Sequence, residues 1–207
     1  VALFAGILTY TLRVIPAGAD PRRDALRVAL ALAAGWAAEA WGTRLGLWRY
    51  YTGERPPLWI VPAWPLGAVV VQRTAGRWMA AVAALPPGLR RALHGAVVAA
   101  ILAVVAAFSW PTASHPATWA VFAAVAAALL WRADSGRDLP VLAAGLLCVL
   151  FADTWGTTNN CWRYWLQRPY GPWGLAGGVG FGACFDTAVV LGCLKAAEGL
   201  DAMGQRS

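Results

Sequence analysis

The chain has 207 residues, of which 59% are hydrophobic and 13% are charged. Soluble domains carry about 25% charged residues, so this composition excludes an ordinary soluble fold and predicts a single all-α domain in a lipid bilayer. The formal net charge is +7, but the arginines are spread over the loops and form no basic patch. This argues against nucleic acid as a partner and favours arginines that flank membrane spans.

Seven apolar stretches, separated by loop signals rich in proline, glycine and aspartate, predict seven membrane-spanning helices. A span needs roughly 17–25 mostly apolar residues. The third span contains Pro62 and Pro65, and residues 73–85 form either its continuation or an amphipathic helix on the cytoplasmic surface. The predicted spans cover residues 2–16, 24–41, 57–73, 90–109, 116–132, 139–155 and 173–196.

The distribution of arginine predicts the orientation of these spans. The first, third and fifth loops hold more arginines than the second, fourth and sixth. Because cytoplasmic loops carry the basic excess, we expect the N-terminus outside and the C-terminus in the cytoplasm. Arginine replaces lysine almost throughout, which is typical of a GC-rich bacterial genome and indicates a bacterial inner membrane. The apolar run at residues 1–15 lacks the basic start and cleavage site of a signal peptide.

A duplicated motif is the most informative feature of the sequence. Residues 38–50 align with residues 152–164 at a constant offset of 114, with seven identities in thirteen positions. Each copy has an acidic residue, then Trp-Gly-Thr, and then Trp-Arg-Tyr. The acidic residue is Glu39 in the first copy and Asp153 in the second. The agreement is too dense for chance and predicts an internal repeat.

The offset pairs the first three predicted spans with the last three and leaves the fourth as a linker, a 3+1+3 arrangement. Repeat one covers about residues 2–85, the linker about 90–109 and repeat two about 116–196. An offset of four spans preserves direction, so the repeats are predicted to be parallel, with a pseudo-twofold axis along the membrane normal. Glu39 and Asp153 can then face each other at the outer end of the bundle.

Glu39 and Asp153 are the candidate catalytic residues. Each lies in the last turn of a long apolar helix, and carboxylates within a bilayer are costly and usually face a cavity or the interior of a bundle. If one of them keeps its proton, it could act as a general acid. The alternative is structural, with each carboxylate paired to a motif arginine, Arg49 or Arg163. These two arginines are the predicted supporting residues.

Aromatic residues around the two acids are the candidate substrate-binding residues. Indole faces stabilise cations by cation–π attraction without acting as nucleophiles, whereas other tryptophans of the chain fit interfacial belts. Asp186, well inside the seventh span, either hydrogen-bonds within the bundle or joins the site from below. The candidates are Trp36, Trp41, Trp48, Tyr50, Trp155, Trp162, Tyr164 and Asp186.

A carboxylic acid in an aromatic pocket suits the protonation of an alkene or epoxide and the guidance of the resulting carbocation. The sequence has no Asp-rich diphosphate motif, no Walker sequence and no His-Glu-x-x-His, so we predict no metal and no cofactor. The four cysteines lack a Cys-x-x-Cys pattern and are interpreted as small core residues.

The seven spans, the chain length, Glu39 shortly after Trp36 at the end of span two, and Asp153 near the end of span six resemble the transmembrane terpene cyclases. That family occurs in fungal meroterpenoid and indole-diterpene pathways and in bacterial relatives. The resemblance implies a metal-independent isoprenoid cyclase, whose acid pair at Glu39 and Asp153 protonates a lipophilic prenyl chain. The duplicated layout is more distantly similar to membrane lycopene cyclases and carotenoid hydratases, although the Pro-x-Glu-Glu type motif of the lycopene cyclases is absent.

Two other function classes stay open from the sequence alone. Parallel 3+1+3 repeats also describe sugar-exporting half-transporters, although such a site would lie near the midplane of the membrane rather than at its outer end. An accessory subunit of a pigment or respiratory complex would use its tryptophans and arginines to bind lipid and partner helices.

Overall fold

In the computed structural model, which describes residues 2–204, the chain forms seven α-helices and a two-stranded sheet. The predicted all-α class is confirmed. Within the described residues, three helical segments are long and apolar enough to cross a membrane: Pro87–Thr112, Ser135–Thr158 and Gln167–Gly204. The elements are α1 (Ala2–Val14), α2 (Pro21–Arg44), β1 (Trp48–Tyr50), α3 (Ala63–Ala83), α4 (Pro87–Ser109), α5 (Pro116–Leu130), α6 (Ser135–Thr158), β2 (Trp162–Tyr164) and α7 (Gln167–Gly204).

Helices α2 and α6 begin with the same capping arrangement. Asp20 and Asp134 are the N-cap residues, and the side chain of each accepts a hydrogen bond from the first turn of its own helix. In return, the carboxylates of Asp24 and Asp138 accept the backbone N–H of these two caps, each at 3.1 Å. Reciprocal bonds of this kind satisfy N–H groups that a helix start otherwise leaves unpaired. The two caps are 114 residues apart in the sequence.

Helix α3 begins six residues later than the predicted span at 57–73 and continues to Ala83. Pro62 is its N-cap residue and Pro65 lies in its first turn, where a missing backbone N–H leaves no hydrogen bond unmade. The two prolines therefore fix the start of the helix rather than kink its interior. Residues 73–85 are mostly a continuation of α3 instead of a separate amphipathic helix.

Helix α7 also departs from a simple span at its beginning. Gly171 adopts a non-helical conformation (φ 51°, ψ −124°) and is followed by Pro172, so the regular helix starts next to residue 173, where the seventh span was predicted. Its later turns supply much of the core. Phe181 stacks between Phe108 of α4 and Phe185, at ring-centroid distances of 3.7 and 5.3 Å.

The helices before and after α4 are interleaved rather than packed as two separate units. Helix α2 packs against α3 and α7, and α6 packs against α7 and α3. Helix α1 contacts α6 and α3, whereas α5 contacts α7 and α2. Each half of the chain therefore covers apolar surface of the other half.

Ion pairs, one fully buried and one partly buried, lie at the ends of α2 and α6 that are far from the duplicated motif. The Asp138 carboxylate is fully buried and lies 2.8 Å from Lys195 Nζ and 3.6 Å from His94 Nε2. Asp24, at the corresponding position of α2, lies 2.6 Å from Arg73 and 2.8 Å from Arg27. Since an unpaired charge is costly in an apolar interior, these pairs hold α2 to α3 and α6 to α7.

Candidate functional site

The two copies of Trp-Arg-Tyr form the two strands and pair with each other. Strands β1 and β2 are antiparallel, and the register places Arg49 opposite Arg163. Trp48 lies opposite Tyr164, and Tyr50 lies opposite Trp162. Each arginine therefore faces its own counterpart in the other copy, and the sheet brings the two motifs together at one end of the bundle.

The glycine of each motif shapes the chain reversal between helix and strand. A Cβ at Gly42 would lie 1.9 Å from the Trp48 ring, and a Cβ at Gly156 would lie 1.9 Å from the Trp162 ring. The glycines are therefore required for each indole to fold back onto the end of its own helix. Gly46 and Asn160, 114 residues apart, both have positive φ (74° and 58°), as in a helix end that turns through the left-handed region.

Glu39 is buried, at 4% exposure, and both of its carboxylate oxygens accept hydrogen bonds. Trp48 Nε1–H donates to Oε2 at 2.9 Å, while Tyr50 Oη–H donates to Oε1 at 2.9 Å. Trp64 Nε1–H also donates to Oε1, at 3.3 Å. Three donors and no cation hold this side chain, so it is a fixed acceptor at the end of α2.

Asp153 is equally buried, at 5% exposure, but less fully hydrogen-bonded. Among the described residues its single donor is Tyr164, whose Oη–H lies 2.6 Å from Oδ2. A Cβ at Gly182 of α7 would lie 1.7 Å from this same Oδ2, so the carboxylate rests directly on the bare backbone of α7. The side chain of aspartate is one methylene shorter than that of glutamate, and Oδ1 is left without a donor.

The supporting role predicted for the motif arginines required an ion pair with each carboxylate. Among the described residues neither ion pair forms. Arg49 and Arg163 are exposed, and Arg163 instead donates to the Asn160 side chain at 2.8 Å. In a strand, successive side chains point to opposite faces, so the flanking Trp and Tyr face the carboxylates while the arginine between them faces away. The structural alternative of paired charges is therefore excluded for the described residues.

Both carboxylates line one large cavity of about 920 Å³. Its walls are formed mainly by α1, α3 and α6, with α7 on one side. Along α3 the lining runs from Ala63 to Trp78, which corresponds to about 22 Å at the rise of an α-helix. The lining is predominantly apolar, with carboxylates concentrated towards one end.

Five of the eight predicted substrate-binding residues line this cavity, and three do not. Trp36 is 47% exposed on the outside of α2. Trp41 and Trp155 follow the carboxylates by two positions, about 200° around the helix, and they point to other helices. Trp41 donates to Thr118 of α5, whereas Trp155 packs on Phe4 of α1. Those in the cavity are Trp48, Tyr50, Trp162, Tyr164 and Asp186.

Sequence reasoning missed Trp64 and Gly182. Trp64 lies 25 residues from Glu39 at the start of α3, and its counterpart in the second copy is Gly178, so comparison of the repeats could not find it. Gly182 belongs to a glycine-rich stretch at residues 174–182, a composition that is typical of a helix-packing surface. Its structural role depends on the position of Asp153, which only the fold defines.

The arrangement combines acid–base groups with aromatic walls in an apolar space. It can hold a long apolar molecule, exchange a proton with it at one end, and stabilise positive charge through carboxylate and π-faces. Among the described residues no group of His, Cys, Asp and Glu side chains is placed to hold a metal ion. No family model matches the chain, and no curated protein or solved structure matches it significantly.

Proposed function

We propose that this protein is an integral membrane isoprenoid cyclase, which protonates an alkene or epoxide of a prenyl chain and guides the carbocation to a cyclic product. One observation carries this proposal. Two buried carboxylates, held by indole N–H and phenol O–H donors instead of by arginine, share one apolar cavity. The chemistry needs acid–base groups in a place without competing water, because water would capture the cation.

The proposal includes seven spans in a parallel 3+1+3 repeat, with the N-terminus outside and the C-terminus in the cytoplasm of a bacterial inner membrane. Contacts at the 114-residue spacing support the repeat. The helix caps, the left-handed turns and the Gly–Trp contacts all recur at that spacing. Trp41 contacts Thr118 of α5, and Trp155 contacts Phe4 of α1. The two tryptophans are 114 residues apart, and so are their two partners.

Glu39 is assigned the role of cation stabiliser. Its oxygens accept three hydrogen bonds, an environment suited to a carboxylate that remains an acceptor throughout the reaction. A fixed negative charge beside the cavity lowers the energy of a nearby carbocation without the reorganisation that water would require. Trp48, Tyr50 and Trp162 add aromatic surface along the same wall, which stabilises cations by cation–π attraction.

Asp153 is assigned the role of proton exchange. Only one of its oxygens is held by a donor, so the other can give or accept a proton. The bilayer supplies the substrate, and the length of the cavity along α3 accommodates an extended prenyl chain. The sequence contains no Asp-rich diphosphate motif, so the proposed reaction starts by protonation and needs no metal.

The proposal is tested with membranes that contain the overproduced protein. They are incubated, in excess EDTA, with a prenyl-substituted aromatic acceptor and with its terminal epoxide, and products are resolved by mass spectrometry and NMR. We expect cyclic isomers of unchanged mass. Glu39→Gln and Asp153→Asn should each lower the rate at least 100-fold, whereas Glu54→Gln, in an exposed loop, should leave it unchanged. Full activity in both site variants would contradict the proposal.

A further inference from the structure

Asp186 differs from the other two carboxylates of the cavity because no described residue donates a hydrogen bond to it or pairs with it. It lines the same cavity as Glu39 and Asp153 and is half-buried. Within residues 2–204 its side chain makes no hydrogen bond and no ion pair, whereas Glu39 has three donors and Asp153 has one. Both Asp186 oxygens are therefore free to meet a molecule in the cavity.

The position of Asp186 on α7 places it close to Asp153. Asp186 follows Gly182 by four residues, so it lies on the same face of the helix, about 6 Å further along its axis. The backbone at Gly182 is in contact with Asp153 Oδ2. The free carboxyl group is thus one helical turn away from the hydrogen-bonded one, on the same wall of the cavity.

The first half of the chain has no counterpart to this group. The position 114 residues before Asp186 is Gln72. Its side-chain oxygen accepts a hydrogen bond from Arg73, and Gln72 does not line the cavity. The free acid is therefore a departure from the duplicated pattern, present on one wall of the cavity only.

We propose that Asp186 is the proton donor to the substrate, with Asp153 as its partner and Glu39 as the fixed cation stabiliser; this inference rests on the proposed cyclase function. A general acid must direct its O–H at the reacting atom. In Glu39 both oxygens are held by donors, and in Asp153 one oxygen is. Asp186 alone offers two unengaged oxygens to the substrate.

The proton-transfer step balances without any co-reactant. The O–H bond of Asp186 breaks, and its proton forms a C–H bond at the less substituted carbon of the alkene, which leaves a tertiary cation. With an epoxide, the ring oxygen takes the proton and a C–O bond breaks. After ring closure, a C–H proton passes to the Asp186 or Asp153 carboxylate, and the acid pair is restored. The product is an isomer of the substrate.

The decisive experiment measures kcat, KM and thermal stability for Asp186→Asn in the purified protein in nanodiscs. We expect kcat to fall at least 100-fold while KM changes less than threefold. Because Asp186 has no partner among residues 2–204, the melting temperature of the Asp186→Asn variant should stay the same or rise, as is common when an active-site group is removed. Asp186→Glu keeps the acid and should recover at least a tenth of the wild-type kcat.

A second measurement follows the proton itself. With the alkene substrate, wild-type reactions in D₂O should place one deuterium at the protonated carbon. With the epoxide substrate, the reaction rate in D₂O should be about two- to fourfold lower than in H₂O. Glu39→Gln should retain a residual rate with the same deuterium position, since the donor is intact.

The outcomes separate the inference from the proposed function. If Asp186→Asn keeps the wild-type kcat while Asp153→Asn loses it, Asp186 is not the donor but the protein is still a cyclase. If wild-type protein converts none of the prenyl substrates, the proposed function itself fails. If Asp186→Asn lowers the melting temperature by more than 10 °C and Asp186→Glu recovers no activity, its role is structural and the inference is overturned.

Discussion

Helices α1 and α5 occupy corresponding positions in the two halves of the sequence, yet among the described residues α1 lines the cavity that holds the carboxylates and α5 does not. Helix α5 buries Thr118, Val125 and Leu129, and it closes against α7, where a Cβ at Gly192 would lie 2.9 Å from the Ala128 side chain. In α1 the only described buried residue is Val14, and the cavity lies behind it. The two walls therefore differ in packing, and the cavity lies behind the more loosely packed one.

The carboxylates show a parallel difference. Glu39 has Trp64 as its third donor, whereas the corresponding position in the second half is Gly178, whose missing side chain makes room for the Tyr164 ring. Trp48 holds the other oxygen of Glu39, whereas its counterpart Trp162 donates no hydrogen bond to Asp153 among the described residues. One acid is therefore held on both oxygens and the other on one. A difference of one methylene and of two indole N–H donors gives two different chemical environments around the same motif.

The largest expected effect compares the two ion pairs. Lys195→Met should leave Asp138 as a fully buried charge and lower the free energy of unfolding by about 3–5 kcal/mol. Arg73→Met should cost clearly less, because the Asp24 side chain is 19% exposed and keeps Arg27. Unfolding by SDS in mixed micelles, followed by tryptophan fluorescence, measures both. Equal losses of unfolding free energy in the two variants would mean that the difference in burial does not affect how much each ion pair stabilises the fold.

A second prediction exchanges the acids between the two environments. Glu39→Asp shortens the side chain and withdraws it from Trp48 and Trp64, so the rate of the proposed reaction should fall at least 100-fold. The double variant Glu39→Asp/Asp153→Glu should not recover it, because the Gly182 backbone leaves no space for a longer side chain. Recovery in the double variant would show that the two environments are interchangeable.

A smaller effect is expected from Trp64→Phe. This variant keeps the ring but removes the N–H that lies 3.3 Å from Glu39 Oε1. Losing one hydrogen bond to a charged group costs about 1.5–3 kcal/mol at most, and two donors remain, so kcat should fall about 5- to 20-fold. Trp110→Phe, at a residue that is 69% exposed, is the matched control. Equal rates in the two variants would exclude a contribution from Trp64.

The smallest effect tests the two walls directly. Gly6 of α1 lines the cavity, and a Cβ there would meet nothing within 4 Å. Gly6→Leu should narrow the cavity and raise KM roughly two- to fivefold for the longest prenyl chain, with little effect on the shortest. Ala120→Leu, at the corresponding exposed position of α5, should change neither value. A similar change in both variants would point to altered helix packing instead.

The sequence allowed the all-α class and the positions of Glu39 and Asp153 to be predicted, because long apolar runs and a duplicated motif are local signals. It did not predict the pairing of Trp-Arg-Tyr with itself, since strands of three residues show no period of their own. The alternation along that pair decides that Arg49 and Arg163 face away from the carboxylates. Contacts across the fold, not spacing, determine such directions.

Other misassignments had a signal that was available. Trp41 and Trp155 follow their acids by two positions, which in a helix places them on nearly the opposite face. Nearness in sequence was a poor guide to nearness in space for these two residues. The role of Trp64, by contrast, depends on how α3 packs on α2, and no pattern in the chain encodes that contact.

The hydrogen bonds of the two carboxylates also bear on how the protein can be synthesised. The donors to Glu39 follow it by 9, 11 and 25 residues, and the donor to Asp153 follows it by 11. The donors to each acid therefore come from chain that leaves the ribosome shortly afterwards, within its own half. Folding can proceed from the first helix to the last without an intermediate in which either carboxylate waits for a donor from the distant half.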